Sequence, residues 1–151
     1  MRRTVTVSFQ TKRIESAGVV LGQFTPSSKT EGEIRLDGRL LNYRFFAFTH
    51  GYNFSVYQNG LEVAVRQCDS HEGQDEFRLG GKTYELDGRV RKLYSERSCV
   101  CRFAFTEQEV TIEFDDEVPD SDIGMLAVFV SLDVMWANLV GFTRTRAHQR
   151  N

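Results

Sequence analysis

The 151-residue chain is poor in proline, with two, and has only three cysteines and one tryptophan. Two prolines and charge of mixed sign leave no room for a long disordered tail. Three cysteines cannot all pair, and Met1–Gln10 lacks the apolar core of a signal peptide, so the expected setting is reducing and cytoplasmic. An excess of charge is missing as well. Nineteen Lys+Arg stand against 21 Asp+Glu, for a net charge of −2 and a pI near 5.9. That balance argues against a protein that holds nucleic acid by bulk electrostatics. No Gly-rich phosphate loop and no Gly-x-Ser-x-Gly nucleophile signature occurs, so neither an enzyme nor a cofactor is expected.

What the chain does have is 40% hydrophobic residues, twelve of them phenylalanine, in a length that suits one domain, residues 1–151. Short alternating stretches are separated by X-Gly pairs. Asn59-Gly60 supplies the two positive-φ residues of a type I′ turn between Phe54-Ser-Val-Tyr-Gln and Leu-Glu-Val-Ala-Val-Arg66. Closure there predicts Val56 opposite Val63 and Phe54 opposite Val65, all on one face. Asp37-Gly38, Gly80-Gly81 and Asp87-Gly88 read the same way. The Gly80-Gly81 turn sets Phe77 opposite Tyr84, while the Asp87-Gly88 turn would set Arg91 opposite Tyr84 and Arg89 opposite Leu86. Cys99, Cys101, Phe103 and Phe105 alternate with Val100, Arg102 and Ala104, and Val110, Ile112 and Phe114 continue the pattern. Altogether about ten or eleven short strands are expected between residues 3 and 114. Glu33-Ile-Arg-Leu-Asp-Gly and Glu76-Phe-Arg-Leu-Gly-Gly align as a faint repeat. One pair does not make an array, and two hairpins built by the same rules account for it.

After Pro119 the pattern changes. Asp120–Phe142 has no turn signal, acidic residues in its first turn and Gly141 followed by Arg144 and Arg146, which predicts a helix over about 120–141. At 100° per residue Asp122 and Asp133 project opposite Ser131 and Asn138, so no polar stripe exists. Such a helix is buried or lies in a membrane. Residues 123–142 are just long enough for a span, but Asp133 at the midpoint would cost about 2.5–3.5 kcal/mol there. A helix packed inside a β structure is favoured.

Several residues invite chemistry. Cys68, His71, Cys99 and Cys101 offer four zinc ligands, without the paired knuckles of a structural site, and read more simply as core cysteines. His50 reads as a turn residue. Asp115-Asp116-Glu117 reads as a solvated acidic loop between strand and helix. The densest basic cluster is Arg89, Arg91 and Lys92, with Lys82 across the Gly80-Gly81 turn. It suits a solvated strand edge, or an anionic head-group site gripped by guanidinium forks.

Many meandering strands followed by one hydrophobic helix, and the text of Val110–Asn138 in particular, resemble the tubby-like superfamily, which includes the LURP-one-related proteins and the phospholipid scramblases. The portions carrying the likeness are Phe54–Gln67, Phe77–Leu93 and Val110–Asn138, where Val-Thr-Ile-Glu-Phe114 leads through an acidic loop into Gly124-Met-Leu-Ala-Val-Phe-Val-Ser-Leu-Asp133-Val-Met-Trp136. The resemblance implies a mainly β fold, an antiparallel closed or nearly closed barrel of about 11–12 short strands around a buried C-terminal hydrophobic helix. It also implies that Asp133 finds a partner in the lumen or stands at an open mouth. No phosphoinositide-binding residues of true tubby domains are matched, and the scramblases' cysteine-rich and calcium-binding segments have no counterpart. The expected function is non-enzymatic binding of an anionic phospholipid head group, or of a protein partner at a membrane surface, through Lys82, Arg89, Arg91 and Lys92, in a cytoplasmic and at most peripherally membrane-bound protein. The alternatives are a carrier of a small apolar ligand and a single-span anchor using residues 123–142.

Overall fold

The structure, a computed structural model, describes the backbone of residues 3–48, 51–69, 74–88 and 90–149, and side chains through residue 135 except those of 47, 48, 51, 52, 68, 69 and 74. Twelve strands precede one helix: β1 (Arg3–Ser8), β2 (Arg13–Ser16), β3 (Val19–Pro26), β4 (Glu31–Leu36), β5 (Arg39–Phe48), β6 (Gly51–Gln58), β7 (Leu61–Asp69), β8 (Gln74–Leu79), β9 (Lys82–Asp87), β10 (Lys92–Ser95), β11 (Ser98–Phe105), β12 (Glu109–Phe114) and α1 (Asp120–Gln149). Each strand pairs antiparallel with its neighbours in sequence, and β1 pairs with β12 from Arg3↔Phe114 to Ser8↔Glu109 to close the barrel. Closure leaves no strand edge for another chain to extend.

This meander gives the barrel two unlike ends. Five two-residue turns (residues 17–18, 37–38, 59–60, 80–81 and 96–97) and the 115–119 linker into α1 lie at one, here called the turn end. The longer connections, including 9–12, 27–30 and 88–91, lie at the other, the loop end. Asn59 (φ 53°) and Gly60 (φ 80°) adopt the expected type I′ conformation. The repeat-like segments are the β4–β5 and β8–β9 hairpins, and Phe77 does stand opposite Tyr84.

Two expected registers are corrected. Tyr57 pairs with Glu62, but Val56 pairs with Ala64 and Phe54 with Arg66, because a bulge between Val56 and Tyr57 shifts the ladder by one. One extra residue exchanges the faces of everything beyond it. Ala64 and Arg66 therefore point inward, at 2% and 3% exposure, while Val63 and Val65 are only half-buried. The second correction concerns Asp87-Gly88, which does not form a two-residue turn. Lys92 pairs with Asp87 and Leu93 with Leu86, leaving residues 88–91 as a four-residue loop.

The helix fills the lumen. Every residue from Ile123 to Leu132 is buried, which an all-round apolar helix achieves only when wall surrounds it. Phe129 stacks on Phe77 with centroids 3.8 Å apart and lies 5.5 Å from Phe54, which stands two strands along the same wall. Burying such rings contributes about 1.5–3 kcal/mol each. The hydroxyl of Ser131, fully enclosed, donates to the Ala127 carbonyl at 2.6 Å, so no polar group is stranded there. The anchor alternative is corrected by this placement: residues 123–134 of the stretch proposed as a span belong to the barrel's core, and among the described residues no helix is long and apolar enough to cross a membrane. The helix also continues to Gln149 rather than stopping near 141, since a single glycine such as Gly141 weakens a helix by only about 1 kcal/mol.

Among the described residues, three ion pairs hold the helix to the wall. At the turn end, the Arg3 guanidinium of β1 binds Asp120 and accepts placement from the linker by donating to the carbonyls of Asp115, at 3.1 Å, and Val118. Lys82 of β9 reaches Asp122 at 2.7 Å. Deeper in the lumen, Arg66 of β7 donates to Asp75 of β8 at 2.8 Å, and its Nε lies 2.7 Å from Asp133 Oδ1. That second contact is an ion pair not aligned as a hydrogen bond. The lumen partner expected for Asp133 is thus Arg66.

Candidate functional site

Of the four basic residues expected to act together, Lys82 stands apart from Arg91 and Lys92. Lys82 opens β9 at the turn end, whereas Arg91 and Lys92 stand where β9 has already ended, at the loop end. Lys82 and Asp87 are five residues apart on one strand, roughly 17 Å at 3.3 Å per residue. The Lys82 ammonium is moreover committed to Asp122, whose hydrogen bond and charge raise its pKa above the usual lysine value. Arg89 lies outside the described residues.

Arg91 and Lys92 remain as a site on the 88–91 loop and the first residue of β10. Arg91 takes a left-handed backbone, with φ 56°, and its carbonyl accepts the Phe103 N–H at 3.0 Å, which anchors the loop to β11. Its guanidinium carbon lies 4.6 Å from the centre of the Phe105 ring, a cation–π contact that holds the group extended over the wall. Lys92 is half-buried, with Asp87 on one flank and Arg102 on the other. Between Gly88 and Arg91, Val90 is 52% exposed. An apolar side chain flanked by cations was visible in the text Arg89-Val-Arg91-Lys92. Its position on a loop tip depended on the register of β9 with β10.

The turn end carries a different surface. Two adjoining clefts, of about 360 and 220 Å³, share Ser98, Cys99, Val100, Asp115 and Glu117. Lys82, Tyr84 and Asp122 line the smaller, and Arg102 and Glu113 the larger. Cys99 Sγ donates to the Cys101 carbonyl at 3.4 Å. Cys101 is 1% exposed, and burial, with Cys99 nearby, pushes its thiol up to about 12, so it stays protonated and unreactive at neutral pH. This is the small buried hydrophobe expected of it. The Cys68 side chain and His71 lie outside the described residues, as does His50, and among the described residues no group of three metal-ligating side chains converges. Asp115, Asp116 and Glu117 form the exposed linker the text suggested.

An apolar carrier would need an open lumen, and Phe129 with its neighbours occupies it. No family model matches the chain, and no curated protein or solved structure matches it. What the fold defines is a closed twelve-stranded antiparallel β-barrel with a single helix as its core, an architecture compatible with a binding domain.

Proposed function

We propose that this barrel is a non-enzymatic binding domain of the tubby-like kind that recognises anionic phospholipid head groups at a membrane surface, through Arg91, Lys92 and the nearby sequence position Arg89. The observation that carries the reading is the 88–91 loop, where Val90 stands 52% exposed beside the extended Arg91 and the adjacent Lys92. Guanidinium and ammonium groups suit phosphate oxygens, and a short apolar tip among cations suits the head-group boundary of a bilayer. The twelve strands around a C-terminal helix agree with the tubby-like resemblance. Lys82, tied to Asp122 at the far end of β9, is left out of the head-group site.

Co-sedimentation with phosphatidylcholine vesicles, with and without phosphatidylserine, at low and high salt tests this. The expected result is salt-sensitive binding to the anionic vesicles that falls about fivefold for each of Arg91→Gln and Lys92→Gln. Equal binding to neutral vesicles, or no effect of either substitution, overturns the reading. Absence of binding to both vesicle types overturns it in favour of a protein partner.

A further inference from the structure

The barrel's two ends differ in charge as well as in connection length. At the loop end, Lys12 and Arg13 at the β1–β2 connection and Lys29 at the β3–β4 connection are all exposed. These connections are neighbours around the rim, and Arg91 and Lys92 stand on the same rim past the β11–β12 connection. Glu107 and Glu109 are the exposed carboxylates on that last connection and its strand. Of the other described acids nearby, Glu31 is taken up by Arg44 at 2.9 Å, and Asp87, half-buried, stands opposite Lys92. At the turn end the balance reverses. Asp37, Glu62, Glu96, Asp115, Asp116, Glu117 and Asp120 are exposed there, against Arg39, Lys82 and Arg97. A net charge of −2 thus conceals a separation of sign along the barrel axis.

We infer that the domain docks end-on, with the loop-end rim facing an anionic bilayer and the acidic turn end facing away, so that Lys12, Arg13 and Lys29 form a second set of lipid-contacting residues beside Arg91 and Lys92. This rests on the head-group reading above and extends it from one loop to an orientation. The physical argument is that of a dipole in a surface potential. A negative leaflet attracts the basic rim within about one Debye length, near 10 Å, and repels the acidic one, so the two terms select the same orientation. A side-on approach would bring both ends equally close and cancel much of the attraction. The closed wall supports this geometry, because twelve paired strands hold the rim loops in fixed relative positions.

The test compares three variants on phosphatidylcholine–phosphatidylserine vesicles at low salt. Lys12→Gln/Lys29→Gln neutralises the newly assigned positions, Arg91→Gln/Lys92→Gln the loop already proposed, and Arg39→Gln a cation on the opposite rim. At about fivefold per charge, the first two each lower the partition coefficient by about 25-fold, while the Arg39 variant stays within about twofold of wild type. If wild type binds and only Arg91→Gln/Lys92→Gln weakens it, the end-on orientation is overturned and the single-loop reading stands. If Arg39→Gln weakens binding as much as a loop-end charge does, the orientation is overturned in favour of a response to net charge alone. No binding by wild type overturns both.

Discussion

Replacing Arg66 by methionine isolates what the buried charges contribute. The Arg66 side chain is 4% exposed and meets Asp133, 13% exposed, and Asp75, 23% exposed. Methionine roughly preserves the aliphatic stem, so the loss is chiefly of the cation, and the wall carboxylate Asp75 and the helix carboxylate Asp133 both lose it. Breaking a buried pair by removing one partner costs about 3–5 kcal/mol. Asp75 is exposed enough to turn toward water, which places the expected cost at the lower end, about 3 kcal/mol. For a chain of this size that corresponds to a fall in Tm of roughly 6–12 °C. Thermal unfolding followed by circular dichroism, with urea titration to check that the m-value is unchanged, measures it. Adding Asp133→Leu removes the stranded helix carboxylate and is expected to restore most of the loss, since apolar replacement of a buried pair is often neutral or better. Two results would refute the reasoning. One is a single variant melting within about 2 °C of wild type; the other is a double variant less stable than either single one.

Three further outcomes are expected. Burial holds the Tyr43 hydroxyl up at about 12, and that of the Cys101 thiol likewise, against 10.0 and 9.0 in an unstructured chain. The unfolded chain therefore loses these protons first as pH rises, so stability is full below pH 9 and declines up to pH 12. Tyr43→Phe should flatten the part of that decline between pH 10 and 12, by an amount on the order of 2 kcal/mol, in urea titrations run across that range. Gly32→Ala would place a methyl 2.5 Å from the ring carbon Cζ of Tyr43, which is buried and packed between Phe24 and Phe45. Urea unfolding should show a loss of about 1–3 kcal/mol, and an unaltered midpoint would mean the ring moves freely. Glu96 and Arg97 form a two-residue turn with φ of 49° and 73°, a left-handed conformation without glycine. Arg97→Gly should raise stability by up to about 1 kcal/mol; a lower Tm would show that the arginine side chain makes a compensating contact.

Much of the wall was legible because its rules are local. Asn59-Gly60, Asp37-Gly38 and Gly80-Gly81 each carry the backbone freedom a two-residue hairpin requires, alternation around the last assigns Phe77 and Tyr84 to the inside, and alternation along 99–105 and 110–114 does the same for Phe103 and Ile112. Ala17-Gly18 closes a hairpin of the same kind, and only the less regular text around it concealed the fact. The candidate site was half legible. Arg91 and Lys92 do stand beside an exposed apolar residue, but Lys82, close to them in sequence, belongs to the opposite end. Which end a residue occupies depends on every turn before it, and the Asp87-Gly88 pair supplied a plausible wrong one.

The buried character of the helix was also determined by sequence alone, because Ile123–Leu132 presents no polar face to water and must be enclosed. Enclosure by what, and in which register, was decided only by the tertiary structure. The bulge at Val56/Tyr57 has no mark in the text, since both registers of β6 with β7 place apolar residues at some inward positions. It is resolved by the contents of the lumen. One register turns Val63 and Val65 inward and leaves the helix carboxylate Asp133 among hydrocarbon; the other brings in Ala64 and Arg66 and gives that carboxylate a cation at 2.7 Å. A ladder of backbone hydrogen bonds is nearly indifferent to a one-residue shift, whereas an uncompensated buried charge costs several kcal/mol, so long-range electrostatic pairing prevails where local pattern is silent.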